Sequence, residues 1–88
     1  MGLFSKKKRV DYNEVFRDKY KYVNKLSQDA NKEVDGVIKE ALWQNVVDVY
    51  QELIDLIDKG ADFDKNHFIS LKEYACRELD KVRSLNHE

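Results

Sequence analysis

The segment from Val37 to Lys59 constrains the fold more than any other part of the chain. Ile38, Leu42, Val46, Val49, Leu53 and Leu56 recur at spacings of three and four, and Trp43, Val47, Tyr50, Ile54 and Ile57 widen the line. At about 100° per residue, these side chains occupy roughly half the circumference of an α-helix. One neighbouring helix does not cover an arc that wide. The segment is therefore expected to lie centrally, touching the first and last helices or a second copy of the protein. Glu40, Gln44, Asp48, Gln51, Asp55 and Asp58 mark its wet side, and Gly60 ends it.

The flanking segments read as two further helices. The chain has no proline and only three glycines, so little breaks a helical run. Asp11-Tyr12-Asn13-Glu14 has the form of a capping box, with Val10 and Val15 in the positions of a hydrophobic staple. A first helix is expected from about Tyr12, with Tyr12, Phe16, Val23, Leu26, Ala30 and Val34 as its apolar stripe. Its end is open to three readings. The chain stops at Asp35-Gly36 with Gly36 left-handed, stops earlier between Ser27 and Asn31, or runs on through Gly36. Ser70-Leu71-Lys72-Glu73 reads as a second capping box, with Ile69 and Tyr74 as its staple. The last helix would then carry Leu71, Ala75, Leu79 and Val82 on one face, with Tyr74 and Leu85 at its margin. The expected fold is all-α: an antiparallel three-helix bundle over residues 10–88, preceded by a flexible basic tail over residues 1–9.

Charge and cysteine content narrow the function classes. Residues 1–9 contain Lys6, Lys7, Lys8 and Arg9 and no acid, whereas the rest of the chain has twelve bases against seventeen acids. An acidic body argues against nucleic-acid binding, which depends on a basic face that displaces counterions. The single cysteine, Cys76, excludes an intramolecular disulfide and fits a reducing, cytoplasmic setting. It reads as a partly buried structural thiol beside the core stripe. No apolar run approaches the ~20 residues that span a bilayer. The tail pairs Leu3 and Phe4 with its four bases, a composition suited to a peripheral anionic membrane surface or to a solvated terminus. His67 and His87 are far apart, and no phosphate-binding glycine loop or Cys/His metal spacing is present. No catalytic residues are assigned, and a non-enzymatic role is expected.

One stretch invites a metal. Asp62, Asp64, Asn66, the carbonyl of Phe68, Ser70 and Glu73 fall at positions 1, 3, 5, 7, 9 and 12 of a twelve-residue loop, with an apolar Ile69 at position 8. A hard cation takes hard oxygen ligands, and that spacing resembles an EF-hand loop, which implies Ca²⁺ as a cofactor. His67 stands where such loops place glycine, no second such loop is present, and a cap at Ser70 and Glu73 explains half of the pattern alone.

The aromatic residues suggest a partner. Tyr20 and Tyr22 flank the first stripe, and Trp43, Val47, Tyr50 and Ile54 lie on the far edge of the second. Tyrosine and tryptophan are enriched at interface hot spots and also fill cores. These six residues are the candidate interface. The expected function is that of a small intracellular adaptor, inhibitor or immunity-type protein that binds a protein partner or itself through helix faces.

Overall fold

The structure, a computed structural model, describes residues 11–87. It contains three helices: α1 over Tyr12–Lys32, α2 over Gly36–Lys59 and α3 over Lys65–Asn86. Each begins in the same way. Asp11, Asp35 and Asp64 stand at the three N-caps in extended backbone, and each carboxylate accepts from backbone N–H groups two and three residues ahead. Those amides lie in the first turn, where no intrahelical acceptor exists, so the caps satisfy donors that would otherwise face only water.

The C-termini are closed differently. The ammonium of Lys39, on α2, donates to the carbonyls of Ala30, Asn31 and Glu33 at 2.8, 3.3 and 3.4 Å. A cation at the end of α1 also meets the negative pole of that helix. Gly60 closes α2 with φ 132°. Its N–H donates to the Ile57 carbonyl at 3.1 Å, and the N–H of Ala61 donates to that of Leu56 at 2.9 Å. This is the Schellman pattern, and Ala61 and Leu56 are both buried in the core, an apolar pairing that often accompanies the motif.

The three helices run up, down and up. The Asp62 N–H donates to Asn13 Oδ1 at 2.7 Å, joining the start of α1 to the end of α2. Asn86 Nδ2 donates to the Gly36 carbonyl at 2.8 Å, joining the end of α3 to the start of α2. Helix α2 packs against both neighbours, while no Cα atoms of α1 and α3 come within 8 Å of each other. The broad apolar arc of α2 is therefore covered from two sides. Large side chains occupy the space between the outer helices. Trp43 and Phe16 are fully buried, and Tyr50 is nearly so. Phe16 stacks on Phe63 at 3.9 Å between ring centroids and meets Phe68 edge-on at 4.9 Å, and Tyr20 meets Phe68 edge-on at 5.5 Å. Further along, Tyr74 meets Trp43 edge-on at 5.9 Å. No helix among the described residues is long and apolar enough to cross a membrane.

Two boundaries differ from the sequence reading. Gly36 is not a left-handed terminator; it is the first residue of α2, and Gly60 is the only glycine with positive φ among the described residues. Between α1 and α2 the linker is only Glu33-Val34-Asp35, so Val34 is not part of the first helix's stripe. Helix α3 starts at Lys65, five residues before Ser70. Asp64 therefore takes the cap that the sequence assigned to Ser70. The earlier start puts Phe68 one turn before Leu71, on the buried face. The expected tail over residues 1–9 and the Val10 half of the first staple lie outside the described residues.

Candidate interaction surface

The expected metal loop is not a loop. Asn66, Ser70 and Glu73 lie within α3, and Asp64 Oδ1 accepts from the N–H groups of Asn66 and His67 at 3.1 and 3.4 Å. Asp64 is thus occupied as a helix cap. No residue other than glycine has positive φ among the described residues, so His67 does not make the sharp turn at the sixth loop position. Asn66, Ser70 and Glu73 share one face of α3 but are strung along about 10 Å of its axis, so they do not wrap around a single point as loop ligands do. Among the described residues, no three His, Cys, Asp or Glu side chains are grouped to hold a metal ion. Phe68, read as a carbonyl ligand, is instead a buried member of the aromatic cluster.

The expected interface residues separate into two groups. Trp43, Tyr50 and Ile54 are 0, 5 and 7% exposed. They belong to the core and cannot anchor a partner from outside, which corrects the sequence assignment. The reason is the arrangement of the helices: the far edge of the α2 stripe faces the gap between α1 and α3. Tyr20 and Val47 are half-buried against the same core. Tyr22 alone of the six is well exposed, at 55%. Tyr50's hydroxyl is pushed above its ordinary pKa of 10.0, first by burial and then by the nearby hydroxyls of Tyr20 and Tyr74.

The most exposed aliphatic side chains lie at the opposite end from the phenylalanine cluster, while Tyr22, Ile69 and Tyr74 are exposed elsewhere. Val34, Val37, Ile38 and Leu85 are 96, 76, 49 and 70% exposed. Helix α1 stops at Lys32 and α2 begins at Gly36, so Val34 lies beyond the end of α1 and Ile38 in the first turn of α2. Val34, Ile38 and the half-buried Leu42 follow one another at intervals of four. They line an open groove of about 450 Å³ between α1 and α2, whose other walls are Asp29, Lys32 and Glu33.

The same end is organised by a polar cluster on its α3 side. Glu40 accepts from Asn86 Nδ2 at 3.0 Å and faces Arg83 Nε at 3.5 Å and His87 Nε2 at 3.7 Å. The Asn86 hydrogen bond is the main influence holding the Glu40 carboxyl below its ordinary value of 4.5; the charges of His87 and Arg83 act in the same direction, and burial opposes them. A methyl group on Gly36 would meet the amide of Asn86, so glycine leaves room for that side chain against the start of α2. Val37 and Ala41 share this side in a second groove of about 510 Å³ with Arg83, Asn86 and His87. A third groove, of about 560 Å³, runs along α2 and α3 past Ile54, Ile69 and Cys76, with Lys72, Glu73 and Arg77 on its rim.

The sequence reading missed Val34, Val37, Ile38 and Leu85 as a surface. Val34 and Ile38 fall in the apolar stripes of the sequence and Leu85 at a margin, and the signal that separates Val34 from Ile38 is the Asp35 cap, which ends one stripe and starts the next. The chain matches no protein-family model, and no curated protein or solved structure is significantly similar to it.

Proposed function

We propose that this protein is a small non-enzymatic interaction module that binds a protein partner or itself through its helix faces. One observation carries the reading: four aliphatic side chains, Val34, Val37, Ile38 and Leu85, are exposed together at one end of a bundle whose other apolar residues are largely buried. Single exposed aliphatic residues need no explanation, whereas a group at one end of a small fold marks a binding surface. The grooves beside them have apolar floors and charged rims, which is the anatomy of a protein interface.

A photo-crosslinking residue at position 38, compared with one at exposed position 21 on α1, tests this. Capture of a protein at position 38, lost when Val34→Asp and Val37→Asp are introduced without a change in melting temperature, is the expected result. Equal capture at positions 38 and 21, or capture that survives both substitutions, would rule the surface out.

A further inference from the structure

We infer that the Val34–Ile38–Leu42 groove is occupied by a second copy of this chain, related to the first by a two-fold axis. The inference rests on the reading of the protein as an interaction module and names the occupant. The argument is the charge around the groove. Two side chains of opposite sign, Lys32 and Glu33, adjoin its apolar floor. Among the described residues Lys32 makes no ion pair, and the Glu33 carboxylate accepts only from the backbone N–H of Asp35, at 3.1 Å. The third charge of the groove, Asp29, is already paired with Lys25 at 3.0 Å.

The groove therefore presents one uncommitted cation and one uncommitted anion beside an aliphatic strip. A rim of single sign would favour a partner of the opposite sign. A rim carrying both signs is complementary to itself. In a two-fold contact, whatever residue i meets on the partner, that residue meets i in return. Lys32 of one copy then pairs with Glu33 of the other, twice, while Val34 and Ile38 of the two copies close over each other. The apolar strip supplies most of the attraction, and the ion pairs set the register.

Sedimentation equilibrium of the full chain, from micromolar to millimolar concentration, tests the inference. The wild type is expected to dimerise, and Ile38→Lys to weaken the dimer on the order of 100-fold with little change in melting temperature. Lys32→Glu alone and Glu33→Lys alone are each expected to weaken it by roughly tenfold, because each places like charges opposite one another. The discriminating sample is an equimolar mixture of these two variants. One chain then carries two acids and the other two bases, so the mixture is expected to recover the association that each variant lost. A mixture of Lys21→Glu with Asp18→Lys, charges on α1 outside the groove, is the control for general attraction between oppositely charged chains.

A monomeric wild type throughout the range would overturn the second copy. So would a dimer indifferent to Ile38→Lys, or a Lys32/Glu33 mixture no stronger than its control. If the protein is monomeric yet a different protein is captured at position 38, the two-fold contact fails and the interaction reading stands. If nothing is captured and nothing dimerises, both fail.

Discussion

The two ends of the bundle solve the same packing problem in opposite ways. At one end, α1 begins and α2 gives way to α3, and three phenylalanines from three different segments close over one another. Phe16 comes from α1, Phe63 from the connection and Phe68 from α3. The Gly60 turn and the Asp62–Asn13 hydrogen bond tie the backbone there. At the other end, α1 stops and α2 starts across three residues, and no aromatic residue covers the joint. Polar groups hold it instead: Lys39 on the carbonyls of α1, and Asn86 on Gly36 and Glu40. Its aliphatic side chains stay outside. Apolar closure buries its side chains, and polar closure leaves apolar surface exposed.

The largest expected difference between the ends comes from truncation. Phe16→Ala removes a fully buried ring from the aromatic cluster and is expected to cost about 3–5 kcal/mol in urea unfolding. Val34→Ala, at the other end, should fall within about 0.5 kcal/mol of wild type. Equal effects would end the contrast.

The caps come next. Asp35→Ala and Asp64→Ala are each expected to cost about 1 kcal/mol. Ser70→Ala should have almost no effect, because Ser70 lies inside α3. A cost at Ser70 matching that at Asp64 would restore the later helix start and reopen the loop. Gly60→Ala forces an L side chain into φ 132° and is expected to lower stability by about 1 kcal/mol or more.

Substitutions in the polar joint should be smaller and local. Gly36→Ala displaces the Asn86 side chain, and faster amide exchange in the last turn of α3, with little change in global stability, is the expected signature. Uniform acceleration across the molecule would mean that both ends open together.

The smallest effect is that of pH. The folded Glu40 carboxyl is held below its ordinary value, so folding favours its ionised form. Its contribution is present above the ordinary glutamate range and is lost as pH falls through the lowered value. Glu40→Gln is expected to flatten the acid limb of the stability profile. Tyr50 has the opposite sign: its raised pKa makes its contribution complete below pH 10 and lost at higher pH, which Tyr50→Phe should remove. An acid limb unchanged by Glu40→Gln would show that the Asn86 contact contributes nothing measurable.

The sequence by itself determined the helices as such. Spacings of three and four, the absence of proline and the Asp11 cap are local properties, and hydrogen bonds within each helix carry them directly. It also determined that α2 is central, because the width of its arc exceeds what one neighbour covers. Tertiary structure decided the rest. The local pattern pointed to Ser70 as the cap of α3, and the structure places the cap at Asp64, whose earlier start carries Phe68 into the cluster with Phe16 and Tyr20. Trp43 and Tyr50 fitted an interface as well as a core, and the gap between α1 and α3 placed them inside. Val34 and Ile38 read as ordinary apolar stripe positions, and the point at which α1 stops leaves them exposed. In each case the sequence defines what a residue is able to do, and the choice depends on neighbours distant in the chain, which no local pattern encodes.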